Sequence, residues 1–294
     1  MFAFQLWQLI YLAHPGIADP RPGTMAAVSP TVVAHRGGSA ARPENTMTAF
    51  EWAKTAGAGA IEFDVHATAD GALVVHHDFA LDRTTSGTGL VLERPLSYVR
   101  ALDAGSWFDP AYAGEGVPLL DEVLAIEGVE LELELKGFGA AFLEAVVETV
   151  VAHDALGRTE FTSFNLPMLV ALKRAHPDAR LGLFTRRREA WMPESILLRQ
   201  AVSVASLGGF DVVHVFAADV TPRIVAALHA EGLVVHANDA ADEGEMRGAL
   251  GAGVDRFSAD DVGLAVEVTT AAKGGLALGG SPPRRAREPL PGYA

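Results

Sequence analysis

The chain has 294 residues, 49% of them hydrophobic, with a formal net charge of −14 and an isoelectric point near 5.1. Such a composition can bury one large core and is neither disordered nor fibrous; the acidity argues against the basic face of a nucleic-acid binder. With no cysteine, disulfides and thiolate metal sites are excluded, and a phosphate-bearing substrate would need a bound cation and one or two basic side chains.

Residues 1–29 open with the apolar stretch MFAFQLWQLIYLA, interrupted by His14 and Pro15. No apolar run in the chain is long enough to span a membrane. The stretch lacks the basic flank and small-residue cleavage site of a secretion signal, so it is expected to be a leader outside the fold of a cytoplasmic protein, with secretion as the minor alternative. From residue 30, short apolar strands alternate with helical stretches. Thr31–Ala34 is a β-branched run, and 45–56 has helical spacing with Met47, Phe50 and Ala53 on one side. Residues 60–65 and 72–75 read as strands joined through Asp70-Gly71, a hairpin signal that leaves no room for a crossover helix. These two should therefore be antiparallel, and pairing outward from the turn puts Asp64 near His77. Residues 79–118 carry no clear strand–helix unit and read as an insertion, rich in Gly, Ser and Thr with Tyr98, Trp107, Phe108 and Tyr112.

Beyond the insertion, 129–135 (VELELEL) alternates with period two. Then follow helix 140–152, strand 160–163, helix 166–175, strand 180–184, helix 193–205, strand 211–216, helix 220–231, strand 233–237 and helix 242–251. Repeated strand-then-helix units imply a parallel sheet. About eight strands imply a closed TIM-type β/α barrel over 30–265, with a small insertion after the third strand. A doubly wound sheet is the alternative, but no Gly-rich dinucleotide fingerprint follows the first strand. Residues 266–294 should be a flexible tail, and Gly274–Ala294 is rich in Gly and Pro.

The chemistry sits at strand ends. His35-Arg36-Gly37-Gly38 ends the first strand, where glycines let backbone approach a ligand. Glu62 and Asp64 are two apart, so they share one face, while Ile61, Phe63 and Val65 take the helix-facing side. Two inward carboxylates repel unless something positive lies between them, and oxygen ligands suit Mg²⁺ or Ca²⁺. Of His76 and His77, adjacent strand residues facing opposite ways, His77 should enter the site. On 129–136, Glu130, Glu132, Glu134 and Lys136 share a face and cannot all be buried; Glu134 and Lys136, nearest the C-terminal end, should lie at the catalytic mouth.

The ordered set of motifs resembles the glycerophosphodiester phosphodiesterase family. His35-Arg36-Gly37 is followed by Pro43-Glu44-Asn45-Thr46 and by Gly59 through Val65. Then come Asp70-Gly71, His77-Asp78, Arg83-Thr84-Thr85, Val117 through Leu124, Glu134-Leu135-Lys136, Ser163-Phe164 and Gly253-Val254-Asp255. The resemblance implies a β/α barrel with His35 and His77 as general acid and base. It implies one divalent cation, Mg²⁺ or Ca²⁺, held by Glu62, Asp64 and Glu134. Arg36 would contact the phosphate, and Lys136 would lie beside it or steady the metal carboxylates. The implied substrate is a small-molecule glycerophosphodiester, with no nucleic-acid partner and no stable membrane insertion. Two departures stand out. Asn238-Asp239-Ala240-Ala241 replaces the family's Trp-Thr-Val-Asn, whose aromatic helps form the glycerol pocket, and Ala259-Asp260-Asp261-Val262 replaces Thr-Asp-x-Pro. The first predicts weak or broad activity on simple glycerophosphodiesters unless Trp107, Phe108 or Tyr112 folds over to rebuild the wall.

Overall fold

Alternation decides which side of each strand is wet. On β2 (Ala60–Ala67) and β4 (Glu130–Leu135), every second residue is Ile, Phe, Val or Leu and packs under the helices, which commits the intervening Glu, Asp and His to the other face. The computed structural model describes residues 30–273. Within them, eight parallel strands close into a barrel: β1 (Thr31–Ala34), β2, β4, β5 (Thr159–Thr162), β6 (Arg180–Phe184), β7 (Val212–Phe216), β8 (Val234–Asn238) and β9 (Arg256–Ala259). Closure runs through β9, which pairs with β1 over four residues.

Around the barrel lie α1 (Met47–Ala56), then, past the small α2 (Leu96–Val99) of the insertion, α3 (Leu120–Leu124), α4 (Gly139–Ala152) and α5 (Leu166–Ala175). The ring is completed by α6 (Glu194–Gly208), α7 (Pro222–Ala230), α8 (Glu243–Ala252) and α9 (Val262–Lys273). Local chemistry sets their ends. The Thr46 side chain accepts from the Ala49 N–H to start α1, and Gly57 ends it at φ 98°. Thr221 and Asp242 cap α7 and α8 in the same way. The inner face of α1 buries Ala49, Phe50 and Ala53, and the Phe50 ring meets Phe63 of β2 edge-on at 5.9 Å between centroids. Each fully buried Phe contributes roughly 1.5–3 kcal/mol.

The hairpin forms as its Asp-Gly turn predicts. β3 (Leu73–Val75) runs antiparallel to β2 with Val65 opposite Val75. It finds an edge to pair with because β1 stops at Ala34, leaving the upper half of β2 free on that side. The insertion then builds a small core of its own from Val74, Leu81, Val91, Val99, Ala104 and Val117.

Three expectations need correction, and the insertion aromatics, given only as a condition, can be located. β3 is no barrel strand; the eighth is β9, whose sequence Arg-Phe-Ser-Ala is too polar to announce a strand. The fold does not end at residue 265, because α9 continues through Lys273. The register places His76, and not His77, opposite Asp64: the His76 N–H donates to the Asp64 carbonyl at 2.9 Å. Finally, Trp107, Phe108 and Tyr112 turn to one another, with the Trp107 indole N–H on the Ala104 carbonyl and Tyr112 beneath the Arg42 guanidinium. The expected leader 1–29 and the Gly/Pro-rich tail from residue 274 lie outside the described residues.

Candidate active site

At the C-terminal mouth of the barrel, Glu62 and Asp64 of β2 meet Glu134 of β4. All three are buried, and one oxygen of each lies within 4.8 Å of the others. Adjacent register brings them together, since Asp64 pairs with Glu134 across the sheet. Lys136 follows on the same strand face, with Nζ 2.6 Å from Glu134 Oε1 and 3.2 Å from Asp64 Oδ1. Those two oxygens have no well-formed hydrogen bond. Asn45, at φ 56°, clamps the far side of Asp64: its Nδ2 donates to Asp64 Oδ2 at 2.8 Å, and its Oδ1 accepts the Asp64 N–H at 3.3 Å.

This trio cannot ionise fully by itself. Burial, and then the Asp64 charge, push the Glu62 carboxyl well above the carboxylate range. Burial likewise raises Glu134, with Lys136 opposing and Asp64 adding to the rise. Asp64 goes the other way: burial favours its proton, but Lys136, His77 and Arg36 outweigh that and hold it well below the usual range. Three clustered carboxyls facing one another, with unsatisfied oxygens, fit a divalent cation with oxygen ligands.

His35, the first residue after β1, lies beside this cluster. Its Nδ1 is 2.7 Å from Asp260 Oδ1, and Asp260 is held in turn by the Ser39 hydroxyl at 2.6 Å. Its Nε2 is 4.0 Å from both Glu62 Oε2 and Asp239 Oδ1. Burial and the Arg36 charge favour neutral imidazole, but Asp260 and Glu62 overcome them and raise the His35 pKa to about 10. The turn that places His35 depends on Gly37 at φ 82°, where a Cβ would lie 2.8 Å from both Ala49 Cβ and Phe50 Cδ1. Arg36 occupies left-handed space at φ 51°, and its N–H donates to Glu62 Oε2 at 2.7 Å.

The Arg36 side chain starts an ionic chain. Its Nη1 donates to Glu44 at 2.9 Å; Arg83 then grips Glu44 through two 2.8 Å bonds and Asp78 through bonds of 2.6 and 3.0 Å. Asp78 Oδ1 lies 2.6 Å from His77 Nδ1. Both histidines therefore meet an aspartate at Nδ1, and Nε2 of each is the nitrogen left for other work. His77 directly follows His76, whose N–H donates to the Asp64 carbonyl, and so stands beside the mouth. It gets there because β3 ends at Val75 and the chain turns out of register. His76 instead bonds the Ala80 carbonyl through Nε2 at 3.1 Å, toward the insertion.

The structure thus brings together all seven residues singled out in the sequence: His35, Arg36, Glu62, Asp64, His77, Glu134 and Lys136. Several others were not assigned a part from sequence. Asp260 and Asp78 buttress the two imidazoles; Glu44, Arg83 and Asn45 hold Arg36, Asp78 and Asp64. Most lie inside the quoted motifs, yet their partners stand up to 225 residues away, so only the fold pairs them. An aromatic rim also went unnoticed. Phe79 stacks on Phe138 at 5.6 Å and Phe164 on Phe184 at 4.9 Å, each residue at or just beyond the end of a strand. Phe138 and Phe164 are 64% and 75% exposed, and the Lys136 ammonium lies 6.0 Å from the Phe164 ring centre. Asn238, where the family tryptophan would stand, accepts the Ser258 hydroxyl at 3.2 Å.

The model of the glycerophosphoryl diester phosphodiesterase family matches residues 35–264. A glycerophosphodiester phosphodiesterase of Caldanaerobacter subterraneus subsp. tengcongensis is 32% identical over 238 residues, covering 78% of this chain and 93% of the relative. One from Bacillus altitudinis is 31% identical, covering 81% and 97%. Among solved structures, an Oleispira antarctica phosphodiesterase in complex with the product sn-glycerol-3-phosphate superposes with a TM-score of 0.72 at 29% identity, covering 82% of this chain and 97% of that one. On the family match and these relatives, the chain belongs to the glycerophosphoryl diester phosphodiesterase family and is a phosphodiesterase.

Proposed function

We propose that the enzyme hydrolyses glycerophosphodiesters to glycerol 3-phosphate and an alcohol, with His35 and His77 as its acid–base pair and a Mg²⁺ or Ca²⁺ ion at Glu62, Asp64 and Glu134. The observation that carries this reading is the pairing of two aspartate-buttressed imidazoles with a trio of clustered, buried carboxyls. Bound there, the cation neutralises charge on the phosphoryl oxygens. The protein does the rest. One imidazole accepts a proton at Nε2 from the attacking hydroxyl, and the other donates one from Nε2 to the leaving alkoxide. Asp260 and Asp78 fix the ring orientation and favour the proton at Nδ1. Arg36 offers a guanidinium already anchored by Glu44 to the phosphate, while Lys136 steadies Asp64 and Glu134. We place the enzyme in the cytoplasm.

Release of glycerol 3-phosphate from glycerophosphocholine, measured with and without EDTA, tests the proposal. Activity that EDTA abolishes and Mg²⁺ or Ca²⁺ restores supports it; no product from any glycerophosphodiester at saturating metal refutes it. The exposed Phe79, Phe138 and Phe164 favour a second reading in which the glycerol moiety carries an acyl chain. A catalytic efficiency on a lysophospholipid above that on glycerophosphocholine would select that reading.

A further inference from the structure

A second ionisable cluster lies in the barrel lumen, next to the mouth. Glu132 of β4, Glu160 of β5, His214 of β7 and His236 of β8 are all buried, and one ligand atom of each lies within 4.8 Å of the others. Strands β4 and β8 have β5, β6 and β7 between them, so side chains from the two meet only through the lumen. His214 Nε2 shares a 2.6 Å hydrogen bond with Glu160 Oε1, while His214 Nδ1 is 3.7 Å from Glu132 Oε1 and His236 Nδ1 is 3.2 Å from Glu132 Oε2. Gly182 of β6 makes the room. A Cβ there would come within 2.5 Å of Glu160 Oε1 and 2.6 Å of His214 Nε2, although its backbone requires no glycine.

Two independent features point to a ligand. First, His236 is fully buried, yet neither ring nitrogen makes a well-formed hydrogen bond; Glu132 Oε2, Glu160 Oε2 and His214 Nδ1 are likewise without one. A buried polar group left unpaired costs about 1–3 kcal/mol, so several in one pocket call for a partner that meets them together. Second, the charges do not balance. The permanently charged groups facing Glu130, Glu132 and Glu160 among the described residues are Arg180 and Arg256, beside the imidazoles of His214 and His236. The Arg256 guanidinium stays 3.8–3.9 Å from Glu160 and Glu132, too far to satisfy either by hydrogen bonding. One negative charge remains for a cation or a proton to offset.

We propose that Glu132, Glu160, His214 and His236 bind one divalent ion of the zinc class in the barrel lumen, separate from the cation at the mouth. Donor chemistry separates the sites. Two imidazoles and two carboxylates suit a four-coordinate transition metal, whereas the three carboxyls at the mouth suit Mg²⁺ or Ca²⁺. Arg256 would orient the outer carboxylate oxygens as a neighbour of the ligands.

Cobalt(II) is the probe, because a four-coordinate nitrogen–oxygen site gives it an intense visible band and an octahedral all-oxygen site does not. The full chain, stripped with chelator, is titrated with Co²⁺. The expected result is two equivalents bound by the wild type, one of them generating the visible band. Asp64→Asn should lose one equivalent and keep the band. His236→Leu should lose the band and keep the other equivalent, with its circular dichroism unchanged. A wild type that binds a single equivalent, without the band and abolished by Asp64→Asn, overturns the proposal and leaves the lumen with a proton on His214. That outcome needs no lumen variant to fold, and it is independent of whether any glycerophosphodiester is cleaved.

Discussion

At the scale of single residues, the mouth shows how much work falls to groups one contact removed from the chemistry. Glu62→Gln leaves shape intact but removes one charge from the trio, so metal dependence should weaken sharply; an unchanged metal affinity in a calorimetric titration would exclude Glu62 as a ligand. His35→Ala and His77→Ala should each cost about 10²–10⁴ in turnover, whereas His76→Ala, whose ring bonds Ala80, should stay within a few fold. Steady-state kinetics of the three variants decide this. The carboxylates and histidines are legible in the sequence because a strand's alternation assigns faces. Asp260 and Arg83 are not, because a buttress is defined by its partner: Asp260 meets His35 across 225 residues, and Arg83 matters only because the fold brings Glu44, 39 residues back, onto the guanidinium that also holds Asp78. His77 reaches the mouth even though hairpin counting misplaces it opposite Asp64: the register puts His76 there, and His77 follows beyond the end of β3.

At the scale of elements, two features test how the site is held. Glu44 is buried between the Arg36 and Arg83 guanidiniums. Burial favours its proton, but the Arg83 hydrogen bonds and both positive charges prevail and lower its pKa from 4.5. A carboxyl depressed on folding adds stability above its unfolded pKa and loses it as pH falls through the folded value. Glu44→Gln should therefore destabilise by roughly 3 kcal/mol near neutrality, since two cations lose their partner. The gap should narrow below about pH 4.5, where the unfolded chain takes up the proton. Thermal melts of both proteins across pH 3–7 check the sign; a constant gap would show that the ion pairs are irrelevant. Gly37→Ala attacks the turn between β1 and α1. With φ at 82° and contacts of 2.8 Å waiting, it should cost about 2 kcal/mol or more and lower the melting temperature by roughly 4–8 °C. Helices and strands with strong periodicity are readable to within a few residues. β9 and α9 are not, because a four-residue strand containing Arg256 and Ser258 has its polar half turned into a charged lumen, where hydropathy reads it as loop.

For the whole molecule, the question is how the mouth selects its alcohol. Without an aromatic at 238, the apolar surface beside the carboxyls is the rim of Phe79, Phe138, Phe164 and Phe184, contributed by four successive strand ends. Phe164→Ala should lower catalytic efficiency on a lysophospholipid more than on glycerophosphocholine, by about 10-fold, the equivalent of roughly 1.4 kcal/mol of lost apolar contact. Asn238→Trp should sharpen discrimination among small glycerophosphodiesters. Equal effects of both variants on every substrate would remove the rim from any part in specificity.

The barrel is sealed by the pairing of its first strand with its last, Thr31–Ala34 against Arg256–Ala259. During synthesis, the edges of β1 and β8 therefore stay open until the ribosome has delivered β9, the last strand of the described chain. An open parallel edge is a template for other strands, and pairing across more than 220 residues is slow to find. A nascent chain halted before residue 256 would keep every ligand at the mouth and lack only the Asp260 buttress, yet it should be caught by chaperones or aggregate, while extension until β9 clears the ribosomal exit tunnel should release it as a sealed ring. Arrest-peptide force measurements along the transcript would place that release at β9.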